Sequence, residues 1–151
     1  MADPKTVQYA DLESLVGQTL PASDWFAVDQ ARINTFADAT GDHQWIHVDE
    51  EKAKQMLGST IAHGYLTLSL LPMFGPQVLR VEGVSRGINY GANKVRFTNM
   101  VPVNSKLRMV QTVKEVNEKA GGKQMISECT IEIEGQDRPA CVAETITVLY
   151  G

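Results

Sequence analysis

A short polar segment near the middle of the chain carries the residue types that move protons. Asp42 and His47 lie five residues apart, and apolar Ile46 and Val48 flank the histidine. An imidazole has a reference pKa of about 6.5 and exchanges a proton near neutral pH, while a carboxylate beside it can orient the ring or a shared water. Asp42 and His47 are therefore a candidate general-base pair.

A second chemical feature is the His63-Gly64 dipeptide at the predicted start of an apolar helix. Backbone N–H groups at a helix start lack intrahelical partners and lie at the positive end of the helix dipole. Gly64 has no side chain to block approach, so its amide could donate to a thioester oxygen that gains negative charge. A base and such a donor together suit water addition to, or proton removal from, an activated carbonyl compound.

Metal binding is the alternative use of the same residues. His43 and His47 have i, i+4 spacing, and Asp42 and His63 are close enough in sequence to complete a zinc site. The Gly41-Asp42 break argues against one helix that carries both histidines. We therefore expect no metal.

Nucleophilic catalysis has less support. Ser59 and Ser69 lack the G-x-S-x-G pattern of a nucleophile elbow, and neither Cys129 nor Cys141 lies near a histidine in sequence. Two cysteines without a secretion signal are typical of reduced, buried thiols in a cytoplasmic protein. They are expected near each other on paired strands.

The elements around Asp42 and His47 are predicted to be short helices. Asp29 can cap a helix that runs to Asp38, and Thr40-Gly41-Asp42 interrupts it. A second helix is predicted from Asp49 to about Leu57, with acids in its first turn as the helix dipole favours. His47 then lies between two capped helices.

The segment from Gln55 to Leu79 contains no Asp, Glu, Lys or Arg. Its 25 residues include polar side chains, three glycines and one histidine, and it lacks the roughly 18 consecutive apolar residues of a membrane span. Apolar residues at helical spacing predict a buried helix from His63-Gly64 to around Gly75-Pro76, where proline interrupts the hydrogen-bond ladder.

From Ser85 onward the apolar period changes to two, which predicts β-strands. Turn-forming residues at Asn117–Gly122 and Glu134–Asp137 separate the strands as hairpins. A run of helices followed by half-polar strands predicts an α+β architecture, with an antiparallel sheet packed on one long helix.

The overall composition limits the functional classes. A chain of 151 residues fits one domain, 1–151, and a net charge of −4 argues against a general nucleic-acid or anionic-membrane binder. Charge is nonetheless segregated, because residues 80–108 hold six basic side chains against one acidic one. A solvated strand face explains this pattern, and so does a phosphate-binding site, for which the candidates are Arg86, Lys94 and Arg96.

Three stretches together resemble the MaoC-like dehydratase family, the (R)-specific enoyl-CoA hydratases, and in particular its nodulation protein N-like branch. They are Phe36-Ala-Asp-Ala-Thr-Gly-Asp-His-Gln-Trp-Ile-His47, Ile61-Ala-His-Gly64 and Arg96-Phe-Thr-Asn-Met-Val-Pro-Val103. The first is similar to the hydratase 2 motif of that family.

The resemblance implies a hot-dog fold, in which an antiparallel sheet wraps around one long central helix, and a homodimer that acts on trans-2-enoyl-CoA thioesters. By the matching motif, Asp42 and His47 would hold and activate the water and the Gly64 amide would polarise the thioester carbonyl. His63 is expected to contact substrate, and so is Trp45, for which a place as a core aromatic is the alternative. No cofactor is implied, since coenzyme A is part of the substrate.

This sequence departs from the common family pattern at two places. It has Gln44-Trp45 where Asn-Pro is usual, and Pro72 where some members use a serine. These changes bear on substrate shape and leave the Asp–His pair intact. Two other functions of such a fold are an acyl-CoA thioesterase, which generally needs a carboxylate near the central helix, and a non-catalytic acyl-CoA or acyl-carrier-protein binding subunit.

Overall fold

The first half of the chain is mainly helical and the second half is sheet, as the change of apolar period predicts. The computed structural model describes all 151 residues. Its helices are α1 (Gln30–Thr40), α2 (Trp45–Val48), α3 (Glu50–Leu57), α4 (Gly64–Ser69) and α5 (Leu71–Val78), preceded by a 3-10 helix at Tyr9–Leu15. Its strands are β1 (Lys5–Gln8), β2 (Phe26–Ala27), β3 (Leu79–Glu82), β4 (Arg86–Arg96), β5 (Lys106–Lys119), β6 (Gly122–Ile133) and β7 (Cys141–Tyr150).

Local end signals explain the helices on either side of His47. The Asp29 carboxylate accepts a hydrogen bond from the Arg32 amide at 2.9 Å, and α1 ends at Gly41 in the left-handed conformation with φ of 84°. Asp49 caps α3 through the Lys52 amide at 3.1 Å. These caps confirm the predicted helices and leave residues 41–49, a turn followed by the short helix α2, as the connection that carries Asp42 and His47.

The predicted central helix is two helical pieces, α4 and α5, joined through Leu70. Pro72 has no N–H to give, and the Met73 amide bonds to Leu70 only three residues back. The expected end at Gly75-Pro76 is wrong, because α5 continues to Val78. Phe74 and Val78 are completely buried, so core packing holds the last turn despite the bond that Pro76 lacks.

The main sheet is antiparallel, with the strand order β2-β5-β6-β7-β4. The β5–β6 hairpin turns at Ala120-Gly121, where both residues have positive φ, as a type I′ turn requires. Residues on one face of β5, including Leu107, Met109 and Val113, are buried in one core with Phe74 of α5. The sheet therefore curls around the central helices. A separate parallel pair, β1–β3, was not predicted.

Strand β4 differs from the rest of the sheet because it is an outer strand with almost no buried side chain. It pairs with β7 on one side only, and its register shifts twice, near Gly91 and Lys94. Ile88 and Tyr90 are exposed apolar side chains on this strand. A long free edge of this kind is a surface on which another strand can pair.

Two sequence-based expectations concern buried thiols and membrane spans. Cys129 and Cys141 are free and buried on the paired strands β6 and β7, and burial raises the pKa of Cys141 to about 11. Neither thiol is therefore a candidate nucleophile. None of the helices combines the length and the apolar character needed to cross a bilayer.

Candidate functional site

A cavity of about 490 Å³ opens between the helical half and two loops at one end of the sheet. Its inner wall consists of Ile46, His47, Ile61, Ala62, Gly64 and Thr67, and its outer wall consists of Phe97–Val101 with Arg138 and Ala140. The volume lies within the usual range of ligand pockets. A more open groove of about 650 Å³ along the N-terminal segment contains none of the candidate residues.

His47 reaches the cavity from a buried position on α2, with 6% of its surface exposed. Its Nδ1 lies 2.7 Å from the main-chain carbonyl oxygen of Ile61. Because a carbonyl only accepts hydrogen bonds, Nδ1 carries the proton, and in the neutral ring Nε2 is left with a free lone pair. That lone pair is the group a general base needs.

The Asp42 carboxylate is exposed at the turn before α2. One of its oxygens, a ring nitrogen of His47 and a ring nitrogen of His63 all lie within 4.8 Å of one another. Two groups at that separation can both bind one water, since each hydrogen bond spans about 2.8 Å and the two meet at an angle. Asp42 also accepts a long bond, 3.3 Å, from the Gln44 amide of its own turn.

His63 lies behind His47 and does not line the cavity. It is 3% exposed, and its ring stacks on the His47 ring with centroids 3.8 Å apart and planes 24° apart. Its Nε2 donates to the main-chain carbonyl of Asp42 at 3.0 Å, while its Nδ1 is buried without a partner. Burial lowers the pKa of His63, which favours a neutral ring.

The Asp42–His47–His63 cluster is a poor fit for a single metal ion. A ligating imidazole directs its lone pair in the ring plane to an ion about 2.0–2.1 Å away. Two rings stacked with centroids 3.8 Å apart and planes inclined by 24° direct their in-plane lone pairs side by side, so the lone pairs do not converge on one ion at that distance. His43 lies outside the cluster, where it pairs with Asp38 at 2.9 Å. The arrangement suits proton transfer through water better than ligation.

Gly64 brings a free amide to the same cavity. It is the first residue of α4, and its N–H has no hydrogen-bond acceptor among the main-chain or side-chain partners. A Cβ at this position would lie 2.9 Å from the Phe97 ring, which is closer than carbon atoms pack. Glycine is therefore required for the approach of Phe97 to the helix start.

A residue that sequence reasoning missed, Gln30, ties these parts together. Its Nε2 donates to the main-chain carbonyl of His47 at 2.8 Å, and its Oε1 accepts from the Thr60 hydroxyl at 2.5 Å. The Ile61 amide in turn donates to the Ile46 carbonyl at 3.0 Å. Helix α1, α2 and the extended segment before α4 are thus joined around His47.

The outer wall contains a second missed residue, Arg138, which is the one charged side chain on the cavity surface. It forms no ion pair within the chain. Its loop is attached to the opposite loop because Asn99 donates to the Arg138 carbonyl at 3.2 Å and to Gln136 at 2.6 Å. Strands β4 and β7 pair with Arg96 opposite Val142, which brings these two loops to the same end of the sheet. The sequence alone did not predict this register.

The other predicted substrate-binding residues lie away from the cavity surface. Trp45 begins α2 and is covered by the Lys52 ammonium, 4.6 Å from its ring centre. Arg86 stacks on Tyr150 at 4.1 Å at the far end of β4, about 30 Å of strand from Arg96. Lys94 faces Glu144, whose pKa is lowered by hydrogen bonds from Asn93 and Lys114. Arg96 directly precedes Phe97 of the outer wall.

The fold is the hot-dog fold, which solved hydratases share. R-hydratase PhaJ1 from Pseudomonas aeruginosa superimposes with a TM-score of 0.73 at 24% identity, over 94% of this chain and 84% of that one. The (R)-hydratase from A. caviae gives a TM-score of 0.69 at 22% identity, over 87% and 94%. The α+β hot-dog prediction is confirmed.

Sequence relatives identify the family. A family model described as MaoC like domain matches residues 11–134. The chain is 49% identical to 3-hydroxyacyl-thioester dehydratase Z of Mycobacterium tuberculosis over 139 residues, 91% of this chain and 92% of the relative. It is 41% identical to Nodulation protein N of Rhizobium leguminosarum bv. viciae over 145 residues, 93% and 89% of the two chains. The chain belongs to the MaoC-like dehydratase family, which confirms the resemblance.

Proposed function

We propose that the protein adds water reversibly to trans-2-enoyl thioesters, giving (R)-3-hydroxyacyl thioesters, and removes it in the reverse direction. Membership of a dehydratase family makes the chain an enzyme of the hydro-lyase class. One observation carries the proposal. The cavity is lined by both His47, which has a free Nε2, and Gly64, which has a free amide. The Asp42 carboxylate lies within 4.8 Å of a ring nitrogen of His47, a distance that one water can bridge.

The water is the first reactant to be positioned. Nε2 of His47 accepts a proton from a water that the Asp42 carboxylate also holds, and the water oxygen bonds to C3 of the enoyl chain. The Ile61 carbonyl accepts a hydrogen bond from the Nδ1–H group of His47 throughout the reaction, so the charged imidazolium keeps its orientation. A positioned general base of this kind contributes about 10²–10⁴ in rate.

The thioester carbonyl receives the electron pair displaced from the double bond. The thioester oxygen becomes negative. We propose that the free N–H of Gly64 donates a hydrogen bond to that oxygen. Helix α4 has only six residues, so we assign this effect to the N–H group itself more than to a long helix dipole. The proton held by the imidazolium then passes to C2, which completes the addition of water.

The carrier of the acyl chain is proposed to be coenzyme A, whose phosphates need cations at the cavity rim. The position of Arg138 on the cavity surface supports a contact with such a phosphate, and the predicted contacts of Arg86, Lys94 and Arg96 remain predictions. The apolar part of the outer wall, Phe97 and Met100, suits the acyl or pantetheine chain. No further cofactor is needed for this reaction.

A homodimer in the cytoplasm is the proposed state of the protein. The free edge of β4 and its exposed side chains Ile88 and Tyr90 support pairing with a second copy. Light scattering after size exclusion is expected to give twice the chain mass of 16.6 kDa. A monomer at micromolar concentration would contradict this part of the proposal.

The test of the function is a hydration assay over a series of enoyl-CoA lengths. Incubation of crotonyl-CoA with the native protein is expected to remove the enoyl absorbance and to yield the (R)-3-hydroxy product, identified by chiral chromatography. Release of free thiol without hydration would indicate a thioesterase instead. Saturable thioester binding without turnover would indicate a non-catalytic binding subunit.

The thioesterase outcome is disfavoured by a specific feature of the helices. Neither α4 nor α5 contains Asp or Glu, so the central helix offers no carboxylate to the thioester. The carboxylate near the cavity is Asp42, which has an oxygen within 4.8 Å of a ring nitrogen of His47 and of His63. A thiol assay run beside the hydration assay separates the two reactions in one experiment.

A further inference from the structure

His63 has a buried position that the proposed reaction does not use directly. The prediction that it binds substrate does not match its place, since it is 3% exposed and lies between the rings of Phe36, at 4.8 Å, and His47, at 3.8 Å. We propose that His63 is a positioning residue, which holds Asp42 and His47 in the arrangement that shares one water. This inference rests on the proposed function.

The first contact fixes the turn that carries Asp42. His63 Nε2 donates to the Asp42 carbonyl at 3.0 Å. The other bonds at Asp42 are longer and come from its own turn, a 3.5 Å contact with the Thr40 hydroxyl and a 3.3 Å contact with the Gln44 amide. His63 is therefore the group that attaches this exposed turn to the buried part of the protein.

The second contact fixes the rotation of the His47 ring. The Ile61 carbonyl bonds one edge of the ring at 2.7 Å, and the His63 ring covers one face at 3.8 Å. Ile61 and His63 belong to the same extended segment, so a single piece of backbone defines both the edge and the face. Because burial favours the neutral form of His63, its ring can lie against the imidazolium that His47 becomes without charge repulsion.

The unpaired Nδ1 of His63 argues against a role as core filler alone. A buried acceptor without a hydrogen bond is unfavourable, and a phenylalanine would occupy similar space without one. The orphan nitrogen is the consequence of using Nε2 to hold Asp42, since the neutral ring has only one N–H. Histidine at this site therefore holds the Asp42 turn through Nε2, and the buried Nδ1 without a hydrogen bond lowers the stability of the core.

Two variants separate the contacts. His63→Phe keeps an aromatic ring beside His47 and loses the donor to Asp42, whereas His63→Gln keeps a donor and loses the ring. Because His63 does not touch the cavity, we expect each variant to lower kcat about 10- to 100-fold and to leave KM within about twofold. His43→Phe and His43→Gln are matched controls at an exposed histidine, and they are expected to keep the native kcat.

A structural readout keeps this test independent of turnover. In the native protein, nitrogen-15 spectra of labelled histidine are expected to show the proton of neutral His47 on Nδ1 and that of His63 on Nε2. In His63→Gln, which removes the ring that covers His47, the imidazole is expected to turn away from the Ile61 carbonyl and become a mixture of the two tautomers, whereas His63→Phe keeps a covering ring and is expected to keep the native tautomer. If the native protein hydrates nothing, the proposed function fails, and this spectrum alone decides the positioning role.

Three results would overturn the inference. One is a folded His63→Phe or His63→Gln variant with native kcat and an unchanged His47 tautomer. Another is a raised KM with native kcat, which would show that His63 contributes to substrate binding and not to positioning. The third is an equal loss of kcat in the His43 controls. If His63→Phe does not fold, as judged by its melting transition, His63→Gln still tests the ring contact with His47.

Discussion

The two walls of the cavity are built in opposite ways. The inner wall carries His47 and Gly64 on short helical segments, and its residues are buried or half-buried and joined by hydrogen bonds to neighbouring main chain. On the outer wall, Phe97 and Met100 are 45% and 60% exposed, and the two loops are attached mainly by the side chains of Thr98 and Asn99. This difference is consistent with the proposal that the inner wall performs the chemistry and the outer wall selects the substrate.

The largest effect expected on the inner-wall side is that of Asp42→Asn. The amide keeps the size of the carboxylate but loses its negative charge, so the shared water is held less well and the imidazolium is less stabilised. We expect kcat to fall about 10²- to 10⁴-fold with KM little changed. Steady-state hydration of crotonyl-CoA measures both constants.

The control for this variant is Asp38→Asn, an exposed carboxylate that pairs with His43. Native kcat is expected there. An Asp42→Asn enzyme within threefold of the native rate would remove Asp42 from the catalytic pair.

Gly64→Ala tests how the two walls meet. The new Cβ would lie 2.9 Å from Phe97, so either the ring or the amide at residue 64 must move. Loss of an oxyanion donor costs about 10²–10³ in turnover, and we expect kcat to fall about 100-fold. In the double variant Gly64→Ala/Phe97→Ala the crowding is absent, and kcat is expected to recover at least tenfold. A double variant as slow as the single one would mean that crowding by Phe97 is not the cause.

Arg138→Gln tests the outer wall alone. If Arg138 meets a carrier phosphate, KM for enoyl-CoA is expected to rise about tenfold with kcat unchanged, and to become less sensitive to salt. An N-acetylcysteamine thioester, which has no phosphate, is expected to show no difference. Arg80→Gln, an exposed arginine on β3, is the control. An equal effect on the phosphate-free substrate would show that Arg138 acts on something other than the carrier.

The smallest expected effect concerns stability against pH. The pKa of His63 is lowered by burial, so the unfolded chain binds more protons than the folded one below about pH 6.5, and the free energy of unfolding falls as the pH falls through that range. His43 has the opposite sign, because its bond to Asp38 raises its pKa and its stabilisation is present at low pH and lost as the pH rises.

Urea midpoints between about pH 7.5 and about pH 5.5 measure both contributions. We expect a decline in the native protein, a shallower decline in His63→Phe and a steeper one in His43→Gln. An unchanged slope in His63→Phe would show that His63 is not held neutral by the fold.

Sequence predicted those parts of the structure whose signals are local. The Asp29 and Asp49 caps and the end of α1 at Gly41 depend on a few neighbouring residues and agree with the sequence analysis, and the Ala120-Gly121 turn falls within the predicted Asn117–Gly122 segment. The positions of Asp42, His47 and Gly64 in a shared motif also identified the residues that the fold brings to one site.

What sequence did not predict depends on contacts between distant segments. Arg138 reaches the cavity only because β4 and β7 pair in one register, and Gln30 reaches His47 only because α1 packs beside α2. The continuation of α5 past Pro76 depends on burial of Phe74 and Val78, which outweighs one missing hydrogen bond. The sequence predicted His63 as a substrate contact because it shows that the residue is polar, whereas burial of the side chain depends on the fold.

The most direct test of the account compares His47→Gln with His43→Gln, two substitutions of the same kind four residues apart. The measurement is the rate at which saturating crotonyl-CoA loses its enoyl absorbance. We expect a rate about 10²- to 10⁴-fold below native for His47→Gln and the native rate for His43→Gln. A folded His47→Gln variant as active as His43→Gln would contradict the assignment of His47 as the base.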